Sequence, residues 1–128
     1  MKRLYSVVIL VGLITCASLL IAQERGSDKP CTGATTTVEM RECQGQRYKK
    51  ADARLNQIYK QLMDSLDEFR RTKLRAAQRA WVVFRDTQAA FEASAEAGGS
   101  LEPLLRLEIL ATLTEERVKR LQTALQGN

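Results

Sequence analysis

The chain has 128 residues, with 20 lysines and arginines against 15 aspartates and glutamates, no histidine, and a formal net charge of +5. That length suggests a single domain, and without histidine any acid–base catalysis would fall to carboxylates, lysines or tyrosines. Both signs of charge are interleaved, so the excess reads as a solvated helical surface rather than an anion-binding or nucleic-acid-binding face.

Met1 to Arg3 is a short basic start, and Leu4 to Ala22 is apolar and uncharged until Gln23-Glu24-Arg25. This order is the layout of a secretory signal peptide over 1–22. Two other readings stay open. The stretch is close to the ~20 residues that span a bilayer, and "LITC", Leu13 to Cys16, has the outline of a lipoprotein signal. Leu20 is large for the third position before a cut at Ala22, and Thr15 is a poor residue before a lipidated cysteine. A cleaved signal peptide, an exported periplasmic or envelope location and no membrane association after signal removal are the favoured expectation.

Loss of Cys16 with the signal leaves Cys31 and Cys43, in a compartment where disulfides persist. One intrachain bridge is expected, stabilising the fold by about 3 kcal/mol on the chain-entropy model. Zinc is the rival reading, but two sulfurs without histidine fall short of four ligands. No cofactor or metal is expected.

Residues 23–36 read as a polar leading loop containing Gly26, Pro30 and Gly33, with the helical domain following over 37–126. Thr36 or Thr37 can cap a first helix with Glu39 in its first turn. Met40, Cys43, Ala51, Leu55, Ile58, Leu62 and Leu66 recur at helical spacing to about residue 66. Gly45 costs about 1 kcal/mol there relative to alanine. Asp67 can cap a second helix, with Leu74, Ala77, Trp81, Phe84, Gln88 and Phe91 as its expected buried stripe. "AGGS", Ala97 to Ser100, is a turn in which Gly98 or Gly99 takes the left-handed conformation. Ser100 can cap a third helix, with Pro103 tolerated in its first turn. Leu101, Leu105, Ile109, Leu113, Val118, Leu121 and Leu125 form that helix's expected stripe. No segment alternates with period two. The expected fold is all-α, an antiparallel up-down-up three-helix bundle with a disulfide at its N-terminal end.

Chemistry-bearing groupings are sparse. There is no Gly-rich phosphate loop, Ser100 has no evident base, and the carboxylates of "DSLD" and of Glu115-Glu116 suit caps or solvated faces. The chain is read as a non-enzyme. The one constellation of note is "AAQRAWVVFRD", Ala76 to Asp86, where Gln78, Trp81 and Arg85 share a helix face bordered by Asp86. Trp81 wants burial and a partner for its indole N–H, and Arg85 can stack on it or reach a carboxylate. Asp86 points about 100° further round, toward Thr114 or Arg117 of the third helix. A role in fixing helix register is favoured over a binding face.

These residues resemble the LprI-type domain, the lysozyme inhibitor LprI N-terminal family of small exported bacterial proteins. The resemblance runs from Cys31 nearly to the C-terminus, through "CTGATTTVEMREC", "ADARLNQIYKQL", "LRAAQRAWVVFRD", "GGS" and "LTEER" in order. Many members carry a second cysteine pair; here Ala89 or Ala90 and Ile109 stand in its place. The resemblance therefore implies that the second and third helices hold by packing alone, through Ala89, Phe91, Ile109 and Leu113. It also implies binding to lysozyme, or another envelope protein, by a chain without catalytic residues. Animal-type lysozymes are strongly basic, so long-range steering does not favour the encounter. A lysine or arginine could still enter the acidic catalytic cleft, and Lys29, Arg70 and Arg71 are the candidates. An envelope interaction module without inhibitory activity is the alternative.

Overall fold

The computed structural model of the protein describes residues 31–127, as three long α-helices and one 3-10 turn, with no strand among the described residues. The expected signal peptide, Lys29 and the first part of the leading loop lie outside the described residues. None of the described helices is long and apolar enough to cross a membrane.

Helix α1, Thr37–Ser65, starts on a reciprocal cap. The Glu39 amide donates to the Thr36 hydroxyl at 3.2 Å, and the Glu39 carboxylate accepts from the Thr35 and Thr36 amides at 2.9 and 3.0 Å. These satisfy amide donors that a helix start would otherwise leave open. The same amides, Thr35 foremost, hold the Glu39 carboxyl below its ordinary value. Just ahead, Cys31 and Cys43 form a disulfide across a Cα separation of 5.9 Å. It fastens the leading loop to the second turn of α1, at the N-terminal end of the fold.

Leu66 is extended and ends α1, and Asp67 caps α2, Glu68–Ala93, by accepting from the Arg70 amide at 2.9 Å. Ser94–Glu96 adds a 3-10 turn, and Gly98 takes the left-handed conformation at φ 77°. Helix α3, Glu102–Gln126, follows. Its start departs from expectation. Leu101 rather than Ser100 occupies the cap position, and no side chain caps there. Instead the Glu102 carboxylate reaches back to the Gly98 amide at 2.9 Å, which ties the turn shut.

The core lies mainly between α1 and α3. Leu55, Ile58, Leu62 and Leu66 pack with Val118 and Leu121, and Tyr59, Leu74, Trp81 and Leu125 lean on this cluster. Each fully buried aliphatic side chain contributes about 1.5–3 kcal/mol before entropy is counted. Gly45 lies near Leu107 and Arg47 bonds Thr112 and Glu115, so α1 and α3 run in the same sense. Helix α2 runs against both, with Arg71 near Met63, Arg85 near Asp52 and Gln78 on Arg117. These pairings are compatible with up-down-up order. The α1 and α2 backbones stay apart along most of their length, and long side chains fill the space between them.

Two expected stripes are rotated, the second only in its first half. In α2, Phe84 and Phe91 are exposed, at 51% and 73%, whereas Arg85, Ala89 and Ala93 are buried. The true inner face runs through Leu74, Gln78, Trp81, Arg85, Ala89 and Ala93, still at spacings of three and four. In α3 the second half of the expected stripe holds, with Val118 and Leu121 buried and Leu125 packed on the core, while in the first half Leu101 is exposed and Leu104, Ala111 and Thr114 are the buried residues. Phe91 therefore plays no part in holding α2 to α3. Small buried side chains, Ala89 and Ala93 on α2 and Ala111 and Thr114 on α3, permit a close approach instead.

A Cβ added at Gly45 would meet Leu107 Cδ1 at 3.9 Å, an ordinary van der Waals contact. Gly45→Ala is therefore expected to stabilise the protein by about 0.5–1 kcal/mol, through helix propensity and a less flexible unfolded chain. Denaturant unfolding measures it, and a destabilised variant would mean that α1 and α3 lie closer here than described.

Candidate functional site

The central constellation sits where the wide gap between α1 and α2 has to be filled. Arg85 projects from α2 into that gap with 9% of its side chain exposed. Two carboxylates answer its charge. Asp86, its neighbour, accepts from Nε at 2.8 Å, and Asp52 of α1 stands 3.6 Å from Nη1. Two rings flank the guanidinium, Trp81 at 5.2 Å and Tyr48 of α1 at 5.5 Å from their centroids. Burial pushes the Tyr48 hydroxyl up from its ordinary value, although Arg85 pulls the other way.

Trp81 also meets a second guanidinium, that of Arg117 on α3, at 5.6 Å. Arg117 donates through Nε to the Gln78 side-chain oxygen at 3.1 Å. Burial, followed by the nearby Arg120, lowers its pKa from the ordinary value. Thr114, one turn before it, is fully enclosed and donates its hydroxyl to the Leu110 carbonyl at 2.6 Å. A hydroxyl bonded back into its own helix is satisfied without any neighbour.

The expected residues thus come together, but along different lines. The sequence tied Arg85 and Asp86 to α3 near Thr114 and Arg117. The structure sends Arg85 to α1 through Asp52, with Asp86 held on the same guanidinium, and leaves the link to α3 to Gln78 and Trp81 through Arg117. Periodicity placed Asp86 on the right side of α2 but could not say which helix lay there.

A second polar seam was missed altogether. Arg47 of α1 grips Glu115 of α3 in two parallel bonds, Nε to Oε1 at 2.7 Å and Nη2 to Oε2 at 2.6 Å. It also donates to Gln44, which is buried, and to Thr112. Glu115 had been read only as a solvated carboxylate. Nothing local marks this pair, whose members are 68 residues apart.

The candidate partner contacts divide as well. Arg71 donates to the Met63 carbonyl at 2.8 Å and to the Asp64 carbonyl at 3.4 Å, so its guanidinium caps the end of α1. Arg70 is exposed beside it. Lys29 lies outside the described residues.

Among the described residues, no buried side-chain nitrogen or oxygen lacks a hydrogen-bond partner. Arg85 is buried and paired with two half-exposed carboxylates, an arrangement suited to fixing α2 against its neighbours. Two expectations follow. Trp81→Ala should destabilise by about 2–3 kcal/mol, below the 3–5 of a fully enclosed aromatic because Trp81 is only half-buried. Asp52→Ala and Asp86→Ala should each be tolerated better than the pair together, because only the double variant strips Arg85 of both counter-charges. A double-mutant cycle in denaturant should show at least about 1 kcal/mol of excess loss; strict additivity would mean that the two carboxylates do not share Arg85.

Comparison with known proteins adds an identity to this geometry. A protein of Rhizobium meliloti (strain 1021), itself described as uncharacterized, is 29% identical over 128 residues, covering 90% of this chain and 91% of its own length. No solved structure matches. The family described as Lysozyme inhibitor LprI matches residues 27–121, a stretch that takes in the disulfide, both polar seams and most of all three helices. With that much of the fold matched, the chain belongs to the Lysozyme inhibitor LprI family.

Proposed function

We propose that this protein is an exported binding protein that inhibits lysozyme or a related wall-degrading enzyme. The observation that carries the reading is family membership across residues 27–121. A disulfide at the N-terminal end suits an extracytoplasmic location. The basic start and apolar stretch of residues 1–22 supply the means of export, by cleavage after Ala22.

On this reading a cation of the protein seats between the carboxylates of a glycosidase cleft, whose paired acids suit a charge-assisted bond. Arg70 and Arg71 lie just beyond the end of α1, whereas Cys31 is bonded to Cys43 in its second turn, about 33 Å before Ser65 at 1.5 Å per residue. The reading commits to the α1–α2 turn. Arg70 is the exposed inserting group, and Arg71 is its support, holding the turn through the Met63 and Asp64 carbonyls. Lys29 is then dispensable.

The second reading is an envelope interaction module without inhibitory activity. Interleaved charges favour it, since a mildly basic surface gives no long-range attraction to a basic enzyme. Wall-lysis assays with the purified exported protein against several lysozyme classes separate the two. Under the inhibitor reading, at least one class is inhibited, Arg70→Ala weakens inhibition about tenfold or more with unfolding unchanged, and Lys29→Ala does not. Failure against every class leaves the interaction module.

A further inference from the structure

The outward face of α2 carries four large exposed apolar side chains that neither the core nor the polar seams use, interrupted by Thr87 and by Lys73, whose ammonium sits 5.4 Å over the Phe69 ring. Phe69, Val83, Phe84 and Phe91 are 73%, 64%, 51% and 73% exposed. Ala76 and Ala80, also exposed, lie on the same line. At 100° per residue these six positions span about 100° of the helix surface, opposite the buried Arg85 and Ala89. A stripe about 33 Å long, at 1.5 Å per residue, is not what a monomer in water is expected to display.

Its charges are sorted by position. Between Phe69 and Ala80 the exposed charged side chains are Arg70, Lys73 and Arg79, all positive. Beyond Ala80, the exposed charged side chains are Glu92 and Glu96, both negative, Asp86 being held by Arg85. A lipid surface or a partner of one sign would be attracted by one half and repelled by the other. A second copy of the same helix running the opposite way meets opposite charge at both ends. The bulk is sorted to match. Phe69 and Phe91 are equally distant from Ala80, so antiparallel pairing about that residue sets them against each other. The same pairing sets Phe84 against Ala76, a large side chain against a small one. Arg70 and Glu92 fall on the same flank of the stripe, so each lies beside the other's counterpart in the second copy.

We propose that the protein self-associates through α2, as a two-fold symmetric antiparallel helix pair centred on Ala80. A two-fold interface requires one patch that is complementary to itself, and this stripe is so in both charge and size. Arg70 borders both this surface and the α1–α2 turn, so Phe84→Glu, which lies away from the turn, is the variant that separates self-association from lysozyme inhibition. One helix pair makes a small interface, toward the weak end of specific contacts. The dimer is accordingly expected to dissociate in the micromolar range.

Sedimentation equilibrium of the exported protein, from about 5 to 500 µM at low salt, tests this. The expected result is a reversible monomer–dimer equilibrium that weakens with salt. Phe84→Glu should weaken it at least tenfold while melting like wild type, since position 84 is exposed. Arg70→Glu alone should weaken association, and adding Glu92→Arg in the same chain should restore it. Three results would overturn the proposal: a monomer throughout the range, a dimer indifferent to Phe84→Glu, or charge reversal without rescue. A monomer whose binding to lysozyme or anionic vesicles is abolished by Phe84→Glu would likewise overturn it, and would assign the stripe to that partner.

Discussion

The rotation of α2 is set by one buried charge. Arg85 keeps only 9% of its side chain in contact with solvent, and a guanidinium so placed costs several kcal/mol unless it is paired and hydrogen-bonded. Its partners are Asp86 on its own helix and Asp52 on α1, with the faces of Trp81 and Tyr48 on either side. Once Arg85 must face α1, every other position of α2 is assigned. Ala89 and Ala93 follow it inward, at spacings of four. Phe84, 100° away, is carried toward solvent, and Phe91 with it. The separation of the α1 and α2 backbones has the same origin, because an arginine between two rings occupies more width than interlocked leucines. Helix α3 then packs closely on α1, where the leucines are.

This explains which parts of the fold were legible in the sequence. Helix α1 has one apolar stripe and unambiguous ends, in Thr36, Glu39 and the Asp67 that starts its successor, so its range and its inner face could both be read. The turn after α2 was legible from its glycines. The inner face of α2 was not. That helix carries two stripes at the same period, one through Phe84 and Phe91 and one through Gln78, Arg85 and Ala89, and counting apolar residues selects the wrong one. What decides between them is the pairing of Arg85 with Asp52, a contact between segments that local spacing cannot see. Helix α3 failed differently. Leu101, Leu104, Leu105, Leu107, Ile109, Leu110 and Leu113 surround nearly its whole first half, so periodicity defines no single face. The helix needs a wide apolar surface because it packs against both α1 and α2.

The two polar seams do related work at different levels of the bundle. Arg85 with Asp52 joins α2 to α1, while Arg47 with Glu115 joins α1 to α3. Apolar packing tolerates sliding by a turn more readily than a bidentate ion pair does, so each seam pins a register that leucines alone would leave loose. Register also matters between α2 and α3, which pack through Ala89, Ala93, Ala111 and Thr114. With no cross-link between α2 and α3, the link falls to close-packed alanines and to Trp81 and Gln78 against Arg117.

The residues that make the family recognisable are therefore largely the ones turned inward. Trp81, Arg85, Asp86, Thr114 and Arg117 carry the motifs, and each is buried or half-buried in contacts that hold the helices together. A resemblance built on such residues transmits the fold with little information about the partner. What the seams and the core leave over is the exposed charge at the α1–α2 turn and the outward stripe of α2, the two surfaces proposed above for a partner. Neither surface has a motif that spacing could expose. At the turn Arg71 is bonded to the end of α1 beside an exposed Arg70, and the stripe is invisible until Arg85 has fixed the rotation of its helix. The same buried guanidinium that made the sequence misleading about the core is thus what creates the surface on which α2 can bind.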